Sequence, residues 1–478
     1  MRNAINLGWL LLAGVATTTL ANNDKANTLV PKFSQAELAP AGAATVERLH
    51  LRSYIYPLAN ISRMEQLNFW TGFSFFRDPW IAAPAATADR DGLGPLFITR
   101  SCITCHHAGG RGPMSEVGVH QPSSLLLRLG STIATVNKVD PHYGGQIQPR
   151  AVNKVHASIK QPLQGEAWLD LQYQTINGTF ADGQPYQLQH PSYQLTKLSN
   201  GPLAKDIGIS PRYAPSIYGM GLLDAISEDD LLAQEDPNDS DNDGISARYN
   251  RVTDVASGNK QAIGRFGFKA KHPTLAQQVA AAFVGDIGIT SPMFPQENCT
   301  ATQVGCQQVS KFGEQDGPEI PQKLLKLVND FSAYISVPPT RSLENSQSQR
   351  GRSLFYQSGC ASCHTPSYVT SSDYPTRELA NLTIWPYTDL ALHDMGPGLA
   401  DGITEFSANG NEWRTPPLWA IGLQQKITGS NRFLHDGRAR SLSEAILWHG
   451  GEAQNAKQQY LTMEQPDRMA LLRFIKSI

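Results

Sequence analysis

Apolar residues recur along the chain with two periods, and each period predicts a kind of element. Leu324, Leu327, Val328, Phe331 and Ile335 fall on one face of a helix that Pro338-Pro339 ends. Residues 349–356 read as a second helix. Residues 466–478 read as a third, with Met469, Leu472 and Ile475 on one face and Pro466 near its start. Leu442, Ala445 and Ile446 share a face behind Ser441, an N-cap residue, and Gly450-Gly451 ends that helix. The other period is two. Leu169, Leu171 and Tyr173 alternate with Asp170, Gln172 and Gln174, and Asn177-Gly178 supplies a tight hairpin turn. Tyr186 and Leu188, then Tyr193 and Leu195, alternate likewise, which predicts a small antiparallel sheet. An extended loop is the competing reading, because Pro185 and Pro191 interrupt the stretch. The run Leu125, Leu126, Leu127, Leu129 is too short to classify.

Composition narrows the class of molecule. At 478 residues the chain is long enough for two or three domains. Its 17% charged and 40% hydrophobic residues are those of a globular protein, and a net charge of −2 gives no general basis for binding nucleic acid. Arg2, an apolar run from Leu7 to Val15 and small residues ending at Ala21 read as a secretion signal cleaved after Ala21. A retained N-terminal anchor with peripheral membrane contact is the alternative. The expected location is the periplasm.

Against this background two short stretches carry the chemistry. Cys102-Ile103-Thr104-Cys105-His106 recurs as Cys360-Ala361-Ser362-Cys363-His364. C-x-x-C-H is the attachment signature of c-type haem: the thiols add to the two vinyl groups and the adjacent imidazole binds the iron. A Cys₄ zinc site is the competing reading, but each pair carries its own histidine. The expectation is two covalently bound haems with His106 and His364 as proximal ligands. Export to an oxidising compartment also predicts a disulfide between the two remaining cysteines, Cys299 and Cys306. Asp239, Asp241 and Asp243, alternating ahead of Gly244, form a candidate Ca²⁺ loop, although Asn250 stands where an EF-hand has its bidentate Glu.

Several longer phrases resemble a known family. Gly351-Arg352-x-Leu354-Phe355 precedes the second motif. Arg414-Thr415-Pro416-Pro417-Leu418 and Phe433-Leu434-His435-Asp436-Gly437 follow it. With Ile209-Ser210-Pro211-Arg212, Gly288-Ile289-Thr290-Ser291-Pro292 and Leu392-His393-Asp394-Met395-Gly396, they resemble the bacterial di-haem cytochrome c peroxidases. The likeness is closer to their longer relatives, the di-haem oxidoreductases. The resemblance implies a mainly α fold of two cytochrome c-type haem domains, one haem relaying electrons and the other reacting. Residues 22–45 would be a loose leader, 46–310 an N-terminal haem domain with a β insertion at about 130–205, and 311–478 a C-terminal cytochrome c domain.

The resemblance also proposes site residues. His120 stands broadly where some relatives keep a displaceable distal histidine. His393 lies in a phrase that in the peroxidases contacts a haem propionate. Asp224 and Glu228 fall roughly where the peroxidases keep catalytic residues, though the Phe-Trp-Asp-Gly-Arg phrase expected there is absent. His449 occupies the offset after His435 at which the peroxidases place a methionine ligand of the relay haem. It is therefore expected as the distal ligand opposite His364, with capping of its own helix as the alternative and His435 and Met395 as rival ligands. The implied activity is peroxidase-like, passing electrons from a small donor protein or cytochrome to H₂O₂ or a related oxidant. The alternative is a pure electron-transfer cytochrome with no substrate site.

Overall fold

The computed structural model describes residues 30–46, 52–152, 163–310 and 317–478, so the secretion signal expected at residues 1–21 lies outside the described residues. Around the first C-x-x-C-H motif the chain builds a helix pair. The helix Arg63–Arg77 begins at a capping box, in which Ser62 accepts from the Glu65 N–H and Glu65 accepts from the Ser62 N–H. It crosses the helix Gln322–Ala333 at Gly72, where a Cβ would lie 2.0 Å from the Leu327 carbonyl oxygen. Only a glycine allows that approach. Phe69 and Phe76 then pack on Phe331 with ring centroids 5.0 and 4.9 Å apart, and Phe76 reaches the His106 ring at 6.2 Å.

The second motif is backed in the same way. The helix Ser346–Gln357 crosses the helix Gln465–Ser477 at Gly351, where a Cβ would lie 1.9 Å from the Ala470 carbonyl oxygen. Phe355 packs on Phe474 at 5.2 Å and on the His364 ring at 6.4 Å. In both helices the phenylalanine follows the crossing glycine by one turn, so the same residues set the crossing and the wall behind the histidine. The face predicted for the C-terminal helix is displaced. Met469 is 63% exposed, and Arg468, Leu471, Phe474 and Ile475 are the buried set.

The strands form six two-stranded antiparallel sheets among the described residues. The unclassified leucine run is one of them: Leu125–Ser131 pairs with Ile207–Tyr213. Another is a long hairpin, Trp168–Thr179 with Pro185–Thr196. Its turn lies at residues 181–184, and Asn177-Gly178 continues the ladder opposite Gln187 and Tyr186. Tertiary contact explains the displaced turn. The hairpin tip is docked, with Phe180 under the Arg468 guanidinium at 4.0 Å and the Ala181 N–H donating to the Leu461 carbonyl at 3.0 Å. Pro185 and Pro191 are tolerated because a two-stranded ribbon consists of edge strands.

The expected fold class is overturned, and two segments stand elsewhere than the sequence reading put them. The molecule is 31% helix and 16% strand, with many small sheets, and so is not a mainly α fold of two cytochrome c-type domains. With 40 glycines and 31 prolines the chain is punctuated too often for long regular elements. The helix Gln322–Ala333, read as the start of a second unit, packs into the core of the first motif through Leu325, Val328 and Phe331. The loose leader is docked over its described part: Ala41 and Ala44 are buried, and Glu37 pairs with Arg352 at 2.8 Å in a fully enclosed ion pair. Cys299 and Cys306 are disulfide-bonded, as expected. No helix among the described residues is long and apolar enough to cross a membrane.

Candidate haem-binding site

Both motifs open into one continuous cavity of about 1270 Å³. Ordinary small-molecule pockets hold about 300–1,000 Å³, so this space suits more than one large ligand. Cys102, Cys105, His106, Cys360, Cys363 and His364 all line it. The four cysteines are free thiols. They do not come together in a four-cysteine cluster among the described residues, which removes the zinc reading. Burial pushes the Cys102 and Cys360 thiols up to about 12, which suppresses the thiolate that a redox dithiol needs.

The two histidines of the motifs are prepared alike. His106 Nδ1–H donates to the Pro215 carbonyl at 2.8 Å, and His364 Nδ1–H donates to the Tyr387 carbonyl at 3.0 Å. Each bond fixes the tautomer and leaves the Nε2 lone pair for a metal. Burial holds both imidazoles below the usual histidine range, His364 down to about 4, so both stay neutral as ligands must. An orphaned group completes the fit: Trp419, fully buried in the cavity wall, has an indole N–H with no partner among the described residues.

A family model described as "Di-haem oxidoreductase, putative peroxidase" covers residues 39–478. The chain belongs to the di-haem oxidoreductase family. No curated protein and no solved structure matches it.

In this di-haem oxidoreductase the two motifs have different neighbours. His449 lies at the end of the helix Leu442–Trp448, which Ser441 caps by accepting from the Glu444 N–H. It lines the cavity, donates from Nδ1 to the Ala445 carbonyl at 2.7 Å, and is near enough to His364 to lower it electrostatically. The capping expected as an alternative is thus present, but it engages only Nδ1 and frees Nε2 in the manner of His106 and His364. The rivals Met395 and His435 also line the cavity. His435 is stacked on Trp413, with ring centroids 3.8 Å apart, and burial holds it down at about 3. His106, by contrast, has the carboxylate Asp286 as its charged neighbour.

The remaining sequence candidates stand elsewhere. His120 is outside the cavity lining, stacked on Trp168 at 4.9 Å and paired with Asp170 at 3.0 Å, and is not brought together with the motif histidines. Asp224 does not line the cavity either. It accepts from the Tyr374 hydroxyl at 2.9 Å and from the Leu275 N–H at 3.2 Å, and burial raises its pKa. Glu228 is exposed in the first turn of a short surface helix. The structure thus brings neither carboxylate into the lining of the cavity. Both nitrogens of His393 are taken, by Asp389 at 2.8 Å and Glu452 at 2.7 Å, which leaves it no free nitrogen for a propionate. The carboxylates of Asp239, Asp241 and Asp243 converge within 4.8 Å at the cavity rim, but each also accepts a loop N–H. Asn250 is not part of that loop; it is buried and bonded to Lys269, Glu405 and Ser407.

A charged wall was missed. Arg128, Arg212, Lys271, His272 and Glu405 all line the cavity. Arg212 pairs with Glu405 at 3.0 Å and with Asp401 at 3.2 Å, and Lys269 pairs with Asp401 at 2.8 Å from behind. The available signal was a charge inside a strand of leucines, Arg128, and it is weak without the fold. Asp286 was also missed. It lies in the π-helical turn Phe283–Ile287, accepts from Gln146 at 3.0 Å, and raises the Cys102 and Cys105 thiols after burial has done so.

Proposed function

We propose that the chain is a periplasmic, peroxidase-type di-haem oxidoreductase with a covalently attached c-type haem at each C-x-x-C-H motif. In this reading Cys102, Cys105 and His106 hold one haem, and Cys360, Cys363, His364 and His449 hold the other. When bound, the irons supply one-electron redox chemistry and, where a sixth position is open, a place for a small oxidant such as H₂O₂. The observation that carries the reading is the asymmetry between the motifs: the charge neighbour of His364 is the imidazole His449, whereas that of His106 is the carboxylate Asp286. In this reading His364 and His449 would hold the haem that takes electrons from a small donor protein, and His106 would hold the haem left open to the oxidant.

The chain's own groups support that division. Pro215 and Tyr387 orient the two proximal imidazoles through Nδ1. His272 carries its proton on Nε2. Gln277 Oε1 accepts from the Val255 N–H, so its amide NH₂ faces the Thr253 carbonyl and His272 Nδ1, which must accept. Burial and the neighbouring Lys271 and Arg128 keep this imidazole neutral. It therefore offers a fixed N–H donor inside the cavity, where a reacting oxygen needs one.

The test is anaerobic reduction followed by addition of H₂O₂, with EPR of the resting protein. The expected result is fast reoxidation and one high-spin or ligand-accessible haem beside one low-spin haem. Two low-spin haems that neither bind cyanide nor reoxidise with H₂O₂ would replace the reading by pure electron transfer.

A further inference from the structure

We infer that Arg128 and Lys271 form the seat of the two propionate carboxylates of the N-terminal haem, an inference that rests on covalent attachment at Cys102 and Cys105. Two walls of the cavity point the same way. Along the first, Cys105 Sγ contacts the Ser123 carbonyl at 2.8 Å, and the strand Leu125–Ser131 leads away from it. Leu126 and Arg128 share its cavity face, and Arg128 lies roughly 17 Å beyond Ser123 at about 3.3 Å per residue. Along the second, Asp286 stands at the cysteine end, and Leu275, Gln278, Val279, Ala282 and Phe283 line the cavity back toward Lys271. That helical run spans roughly 16 Å from Asp286 to Leu275 at about 1.5 Å per residue. Both walls therefore begin at the thiols and end at cations. In haem the propionates leave the edge opposite the vinyls, so thiols bonded to the vinyls direct the carboxylates to this end.

The charge balance agrees. Arg128, Arg212, Lys269 and Lys271 surround the carboxylates Asp401 and Glu405. Arg212 and Lys269 take the close contacts. Lys271 Nζ reaches Glu405 only at 3.7 Å, and Arg128 has no ion pair within 4 Å among the described residues. Arg128 is thus without an ion pair and Lys271 has only a long one, with Asp286 a further carboxylate that acts on it, in a half-buried wall where under-compensated charge is costly. One haem brings two carboxylates.

The experiment uses the holoprotein with Arg128→Gln, Lys271→Gln and both together. The two haem potentials are followed separately by EPR-monitored titration, and resonance Raman follows the propionate bending bands. The expected result is a lower potential for the N-terminal haem, more so in the double variant, with an altered propionate band and a much smaller change at the C-terminal haem. Arg128→Lys should recover most of the shift, which a mere packing role would not give. Two covalent haems after denaturation, with potentials and bands unchanged in all variants, would overturn the seat. Saturable perturbation of the unmutated protein by sodium formate, lost in Arg128→Gln, would instead make the cations an open anion site and also overturn it. Only one covalently retained haem in the unmutated protein would overturn the attachment reading itself, and the seat with it.

Discussion

The two C-x-x-C-H motifs share a scaffold and differ in what faces them. Behind each, a glycine lets two helices touch and a phenylalanine one turn later backs the proximal histidine. In front of the second motif stands a neutral imidazole, His449, with His393 locked between Asp389 and Glu452 to the side. Beside the first stands the carboxylate Asp286, and a wall of arginine and lysine lines the cavity that the two motifs share. Equal frames with unequal faces suit unequal tasks. A frame has only to hold a ring, whereas the groups facing an iron determine whether its sixth position is filled and which charge is favoured there.

The largest expected effect comes from removing one frame's anchors. Changing Cys102 and Cys105 together to Ser should lower the haem retained after denaturation from two to one per chain, as read by pyridine haemochrome. The same change at Cys360 and Cys363 should do likewise, and retention of both haems in either variant would break the equivalence of the frames.

Next is the difference in faces. His449→Ala should convert the C-terminal haem from low-spin to high-spin or ligand-accessible, while His449→Met should keep it low-spin and raise its potential. Unaltered EPR spectra and potentials in both variants would remove His449 from the iron.

The shared crossings can be tested by stability. Gly72→Ala and Gly351→Ala each force a methyl into a backbone carbonyl and should each cost about 1–3 kcal/mol in urea unfolding. A clear cost at one site and none at the other would show that the helix pairs are not equivalent.

The smallest effect is a pH slope confined to the second motif. Burial opposes charge on His393, but Asp389, then Cys363, and the hydrogen bonds to both outweigh burial and hold its pKa well above the usual value. A folded pKa above the unfolded value of about 6.5 means that the stabilisation is full below that pH and fades as pH rises through the folded pKa, by up to about 1.4 kcal/mol per unit. His393→Gln should flatten the unfolding profile above about pH 6.5. An unchanged slope would mean that the imidazole is neutral in the folded chain.

The sequence by itself determined the two C-x-x-C-H motifs proposed as anchors, because a haem attachment site is a local pattern: two thiols and an imidazole must sit within five residues to span two vinyls and an iron. It also determined the disulfide pair, the family and the helix that carries His449, each legible from spacing or from a capping residue. Tertiary structure alone decided the rest. The turn of the long hairpin moved from Asn177-Gly178 to residues 181–184 because docking of Phe180 and Ala181 outweighs a local turn preference. His120, Asp224 and Glu228 had the right residue types but lie outside the cavity, since similarity of position along a chain does not fix which way a side chain faces. Arg128, Arg212, Lys271 and Glu405, separated by up to most of the chain, became one wall only when a strand pair, a loop and a helix start converged. Charges at such separations share no local pattern; their common purpose exists only in the folded cavity they enclose.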